Sequence, residues 1–250
     1  MVKNYLVGSV RPVIKKWYSD TAHGATEDNQ NWMPHLKMYQ EMYKTSRASA
    51  VKFLEGDWEP VIHTAPVLDA RLFQIAQWYL VKEMWFEQPC NILCMGADTM
   101  FVKPTKVFDH WKGMRMFNYT DPRSHAEHVH YFNDDVRYFP HDMNPEIWEI
   151  GERRMAEWFS HSQSHWDLGQ LINNSMFWQE DIHSDDRLHP YMNWMCHDLR
   201  DLSDQSISHC ETWNRTTFDS AKILHFNGSR GPKATLDIMK QVADKFGVKL

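Results

Sequence analysis

Apolar residues along this chain fall into short continuous runs and into three-to-four spacing, and the two patterns interleave in an order that predicts an α/β protein. Residues 4–10 form a short apolar run expected as a strand, and the Asp-, Asn- and Gly-bearing stretch 19–31 is expected as a loop. Leu36, Tyr39, Met42, Tyr43, Ala50 and Phe53 recur at helical spacing, which predicts two shorter helices within 33–54, ended by Gly56 and Asp57. A short strand at 61–63 precedes the clearest helix, 67–86, where Leu68, Leu72, Ile75, Ala76, Tyr79, Leu80 and Met84 share a face. Gln88-Pro89 stops it, because proline lacks an amide donor and constrains its predecessor.

The run Asn91-Ile92-Leu93-Cys94-Met95 is continuous, the signature of a central parallel strand buried on both faces. Polar Gly96-Ala97-Asp98-Thr99 follows at once. Beyond it the pattern predicts a short helix at 103–111, a strand at 114–119 and a His- and Asp-rich loop over 120–144. An amphipathic helix is expected at 145–159, with Ile147, Ile150, Met155 and Trp158 inward and proline in its first turn. Strands are expected at 171–178 and 223–226. A last helix covers 234–246 through Leu236, Met239, Val242 and Phe246, with Gly247 as its cap.

At 250 residues, with 42% hydrophobic residues, the chain is expected to form one domain over 1–250 with a substantial core. Its 27 basic and 33 acidic residues give −6, and no basic stripe follows a phosphate backbone, which argues against long nucleic acid as a partner. No stretch is long enough for a membrane span, and residues 1–8 carry too little apolar length for a signal peptide, so a cytoplasmic protein is expected. Four cysteines are too few and scattered for a disulfide framework, and Cys94 fits a small core hydrophobe better than a zinc ligand. His125, His128 and His130 have metal-like spacing but no nearby Cys, so a polar surface loop is the better reading.

Four pieces occur in a fixed order: an apolar strand into Gly96-Ala97-Asp98-Thr99, then Asn173-Asn174-Ser175, Asp204-Gln205, and His225-Phe226-Asn227-Gly228. Together they resemble the GT-A glycosyltransferases close to glycogenin and the bacterial galactosyl- and glucosyltransferases. The likeness spans roughly residues 60–240, with a weaker N-terminal third. It implies a GT-A, Rossmann-like fold: a mixed, mostly parallel central sheet flanked by helices. It also implies transfer of a hexose from a nucleoside-diphosphate sugar to an unknown acceptor, with retained configuration.

The resemblance assigns Asp98 and His225 to a cation, Mn²⁺ or Mg²⁺, that holds the donor diphosphate. A diphosphate leaving group needs such a cation, and an imidazole beside oxygen ligands favours Mn²⁺. Gly96, Ala97, Asn173, Gly228, Arg230 and Lys233 are implied donor contacts, and Asp204 and Gln205 lie against the reacting face of the sugar. Asp204 is the carboxylate expected nearest the anomeric carbon. Arg71 is a further candidate for phosphate, although a solvent-facing role fits it better. Trp166, Trp178 and Trp194 include candidates for stacking on an acceptor sugar.

Two departures matter. Gly96 stands where the family's Asp-x-Asp motif has its first aspartate, and Gly231-Pro232 replaces Lys-Pro, with Arg230 and Lys233 on either side. The loss at Gly96 leaves a rival open: a catalytically degenerate module that binds a sugar-nucleotide or glycan without turning it over. A nucleotidyltransferase is disfavoured because Gly8-Ser9-Val10-Arg11 is too slight for a phosphate loop.

Overall fold

The computed structural model describes residues 2–10, 32–64, 70–106, 115–120, 130–161, 196–198, 221–226 and 231–250. Strands β1 (Lys3–Ser9), β2 (Glu59–His63), β3 (Cys90–Met95), β5 (Arg115–Thr120) and β6 (His130–Phe139) form one sheet in the order β2-β1-β3-β6-β5. β1 is parallel to both β2 and β3, while β6 is antiparallel to both β3 and β5. β2, β1, β3 and β5 therefore point one way and β6 alone opposes them. This is the mixed, mostly parallel sheet that the resemblance implies, and the continuous apolar run at 91–95 predicts β3 at its centre.

Successive residues of a strand face opposite sides, and each side of this sheet has its own helices. On one face Tyr5, Val7, Ile92, Cys94 and Phe139 pack with Trp78 and Val81 of helix α2 (Ala70–Glu87) and with Ile147, Trp148 and Met155 of helix α3 (Glu146–His161). Phe139 stacks on Trp148 at 5.1 Å between centroids, and Trp78 meets Trp148 edge-on at 5.0 Å. Gly151 makes this approach possible, since a Cβ there would lie 2.2 Å from Trp78 Cζ2.

On the other face Leu6, Leu93, Met95, Val136 and Tyr138 meet Ala50 and Leu54, at the end of helix α1 (Trp32–Phe53). A second sheet, β4 (Thr99–Phe101), β8 (Ile223–His225) and β7 (Cys196–Asp198) in the order β4-β8-β7, joins this side. Met100 and Leu224 from it pack with Met42 and Tyr43 of α1 and with Leu236, Met239 and Val242 of helix α4 (Pro232–Lys245). Full burial of side chains such as Ile92, Leu93 and Met100 contributes about 1.5–3 kcal/mol each.

Three expectations are corrected. One helix, α1, replaces the two within 33–54: Pro34 falls in its first turn, where the amide has no helical partner, and no glycine or later proline interrupts it. Residues 103–106 are not helical. Thr105 instead donates its amide to Phe53 O and accepts from Glu55 N, both at 2.8 Å, so its backbone is committed to the end of α1. The loop expected over 120–144 contains the ten-residue strand β6. Asn133-Asp134-Asp135 breaks its apolar alternation because the pairing with β5 is irregular there: Met116 pairs with Arg137 but Phe117 with Asn133.

The close of α4 follows the sequence. Gly247 has φ 62°, a left-handed conformation that favours glycine. Gly247 N bonds Asp244 O and Val248 N bonds Ala243 O, the paired bonds of a Schellman end, with Val248 buried behind them. Lys52 of α1 reaches across to the carbonyls of Phe246 and Gly247, at 2.8 and 2.5 Å. The strand expected at 171–178 lies outside the described residues.

Candidate functional site

The site begins where β3 ends. Gly96 to Asp98 form a turn that drops the chain from the large sheet into β4 of the small one. Gly96 O closes the turn by accepting from both Thr99 N (3.3 Å) and Thr99 Oγ1 (2.8 Å). Helix α1 braces it from one side: Ser46 Oγ stands 3.5 Å from Gly96 O, and Ser49 Oγ accepts from Phe101 N at 3.0 Å while donating to Ser46 O. Ser46 and Ser49 are buried, so their hydroxyls fix β4 against α1 without competition from water.

β8 then carries His225 to the same place. β4 and β8 pair antiparallel with Thr99 opposite His225, and Phe226 N donates to Asp98 O at 2.8 Å. Asp98 and His225, 127 positions apart in sequence, thereby converge, with Asp98 Oδ2 3.7 Å from His225 Nε2. The side chains are 24% and 5% exposed respectively, so the imidazole is held in the protein while the carboxylate keeps one side open. Across the other edge of β8, backbone register sets Asp198 of β7 opposite His225.

A separation of 3.7 Å is too long for a direct hydrogen bond. It falls between the roughly 3.0 Å and 4.2 Å expected for adjacent and opposite ligands around a small divalent cation with bonds of about 2.1 Å. One carboxylate oxygen and one imidazole nitrogen suit Mn²⁺ or Mg²⁺, the imidazole favouring the former. Among the described residues no group of three or more His, Cys, Asp or Glu side chains converges as a metal site. Among the described residues Asp98 and His225 are thus the pair that could hold a cation.

The remaining predicted residues divide plainly. Gly96 and Ala97 lie in the same turn as Asp98, with Ala97 buried against the α1/α4 core. Lys233 is exposed in the first turn of α4, shortly after β8. Asn173, Asp204, Gln205, Gly228 and Arg230 lie outside the described residues, as do His125, His128, Trp166, Trp178 and Trp194 and the side chain of Arg71. Cys90 and Cys94 are both buried in the core, and burial, aided by the nearby Glu87 charge, pushes the Cys90 thiol up to about 11.

Sequence reasoning missed a second polar group at this end of the sheet. Ser9 closes β1, and Gln77 of α2 donates to its Oγ at 2.6 Å. Gln77 Oε1 accepts in turn from Arg137 Nη2 of β6 at 2.7 Å. Arg137 is buried, and among the described residues its Nε has no partner. A loop assignment over 120–144 concealed it; an arginine inside Val136-Arg137-Tyr138-Phe139 becomes conspicuous once those residues are read as a strand. Beside Ser9, the ring of Tyr43 packs over Gly8, and burial raises the Tyr43 phenol above its usual range, against a smaller lowering by Arg47.

No protein-family model and no curated protein matches the sequence. The structure is similar to a glycosyltransferase involved in glycosylation of the major capsid of PBCV-1, at 8% identity and TM-score 0.47, over 96% of this chain and 99% of that one. It is similar to the glycosyltransferase GlyE of Streptococcus pneumoniae TIGR4, at 11% identity and TM-score 0.46, over all of this chain and 65% of that one. Mouse xyloside xylosyltransferase 1 is similar at 11% identity and TM-score 0.46, over 91% of this chain and 98% of that one. The architecture itself is an α/β fold whose mixed, mostly parallel sheet is flanked by helices, with Asp98 and His225 brought together beyond the carboxyl end of its central strand.

Proposed function

We propose that the protein is a glycosyltransferase that moves a hexose from a nucleoside-diphosphate sugar, with Asp98 and His225 holding a divalent cation on the donor diphosphate. The observation that carries this reading is the approach of Asp98 Oδ2 and His225 Nε2 to 3.7 Å at the carboxyl end of β3. Open α/β sheets take their ligands at that end. The cation, when bound, neutralises charge that develops on the leaving diphosphate. The chain's own part is to fix the two ligands. Gly96 O and the Thr99 bonds set the turn, Ser49 pins β4, and the β4–β8 pairing sets the spacing. With Gly96 in place of a carboxylate, the protein supplies little charge of its own, so the cation binds weakly until donor phosphates complete its shell.

Lys233 in the first turn of α4 is a cation for the diphosphate, joined by Arg230; Gly228 and Ala97 admit the donor backbone-on. Asn173 faces the sugar hydroxyls, and Asp204 with Gln205 lies at the reacting face, where retention of configuration is expected. Incubation with radiolabelled nucleotide-sugars and Mn²⁺ tests the reading through release of the nucleoside diphosphate. Release that disappears in Asp98→Ala, with the fold intact, supports the enzyme.

Gly96 favours one other reading: a module that binds the nucleotide-sugar without turning it over. Metal-dependent donor binding with no release of nucleoside diphosphate, with or without added glycan acceptors, would select that module.

A further inference from the structure

Arg137 is 5% exposed, and among the described residues its Nε has no partner and no carboxylate pairs with it. Removing an unpaired guanidinium from water costs several kcal/mol, so its retention beneath the ligand-binding edge calls for a reason. Its hydrogen bond to Gln77 gives a direction. Arg137 Nη2 only donates, so the Gln77 atom facing it must be the carbonyl Oε1. The amide nitrogen of Gln77 then faces Ser9, so Ser9 Oγ must accept. The hydroxyl proton of Ser9 is then left to donate, and among the described residues no acceptor takes it.

The position of Ser9 gives that donor a use. Gly8 pairs with Met95, so Ser9 stands level with Gly96, on the strand next to β3 and at the edge where the Asp98 turn begins. Ser9 is only partly buried, whereas Gln77 and Arg137 behind it are buried. A cation at the inner end of aligned hydrogen bonds polarises the outer one.

We propose that Arg137 and Gln77 are positioning residues that hold Ser9 Oγ as an obligatory hydrogen-bond donor to an oxygen acceptor of the donor's nucleoside-diphosphate part. The buried positive charge selects an acceptor-only oxygen and disfavours a hydroxyl. A phosphate oxygen and a base carbonyl share that chemistry. The inference rests on the donor-binding reading above and adds to it a subsite on β1 separate from the cation ligands.

Gln77→Glu is the discriminating variant. A carboxylate at 77 accepts from Arg137 and also from Ser9, so it gives the buried cation a counter-ion while turning the Ser9 proton inward. Ser9→Ala removes the donor by a smaller change. The experiment is calorimetric titration of the wild-type chain and both variants with UDP, GDP, inorganic pyrophosphate, uridine and guanosine in the presence of Mn²⁺, beside thermal unfolding of each protein alone.

The expected result is that Gln77→Glu unfolds at or above the wild-type temperature, yet both variants bind the preferred nucleoside diphosphate about tenfold or more weakly. An equal loss with pyrophosphate assigns the acceptor to phosphate; a loss seen with the nucleosides assigns it to the base. Unchanged affinity in both variants would overturn the relay and leave donor binding standing. No binding of any probe by the wild type would overturn both.

Discussion

Asp98 and His225 meet because Thr99 pairs with His225 across β4 and β8, and the pairing leaves Asp98 Oδ2 3.7 Å from His225 Nε2. Two ligands of one cation act as a unit, so their removals should not add. Asp98→Ala and His225→Ala are each expected to lower Mn²⁺ affinity in the presence of nucleoside diphosphate by at least tenfold, and the double variant little further. Titration calorimetry of the three variants checks this; fully additive losses would mean that the residues act separately.

The contact between β1 and α1 tolerates no side chain at Gly8. A Cβ there would stand 2.0 Å from Tyr43 Cε2, so Gly8→Ala must displace a buried ring. The expected cost is about 1–3 kcal/mol, from overpacking. Combining Gly8→Ala with Tyr43→Leu should recover part of it. Urea unfolding measures the pair, and an unperturbed midpoint in Gly8→Ala would show that the ring moves freely.

Alkaline conditions should weaken the fold. The Cys90 thiol is raised by burial from 9.0 to about 11, so between these values the unfolded chain releases a proton that the folded chain retains. Stability is therefore full below about pH 9 and falls as pH rises towards 11, by roughly 2–3 kcal/mol at about 1.4 kcal/mol per unit. The raised Tyr43 phenol acts in the same direction at higher pH. Unfolding midpoints measured from pH 7 to 11 for wild type and Cys90→Ala check the sign: the variant's curve should be flatter, and identical slopes would remove Cys90 as the cause.

Gly247 closes α4 at φ 62°, a conformation that costs an L-residue roughly 1–2 kcal/mol. Gly247→Ala should destabilise by about that amount, while Gly247→Asn should cost less because asparagine tolerates this region. Equal loss in both variants would point instead to the crowding by Lys52 Nζ, 3.0 Å from a Cβ at that position.

Much of the fold is legible in the chain because continuous apolar runs and helical spacing report burial directly. The run 91–95 predicts the central strand, the spacing from Leu68 to Met84 predicts α2, and Gly247 marks the end of α4. β6 escaped for a physical reason. Its irregular pairing with β5 admits Asn133-Asp134-Asp135 into a strand, and its buried Arg137 mimics the polarity of a loop. One helix covers 32–53, because its polar interior residues do not interrupt it. Thr45 and Ser49 instead bond back to the carbonyls of Glu41 and Ser46.

Asp98 and His225 were legible as candidates, since each follows or ends an apolar run. Their separation was not, because it depends on an antiparallel pairing between segments more than a hundred residues apart. The relay from Arg137 to Ser9 was equally hidden: its three members come from β6, α2 and β1, and no local motif joins them.

If Asp98 and His225 hold a cation for a nucleoside-diphosphate donor, thermal unfolding against UDP-, GDP- and ADP-linked sugars, with and without Mn²⁺, will report it. A ligand at 100 times its dissociation constant stabilises the folded state by about 2.7 kcal/mol. The expected result is a raised midpoint with one nucleotide-sugar, dependent on Mn²⁺ and lost in Asp98→Ala. A midpoint that no donor moves, or one that moves equally without the metal and in Asp98→Ala, would contradict it.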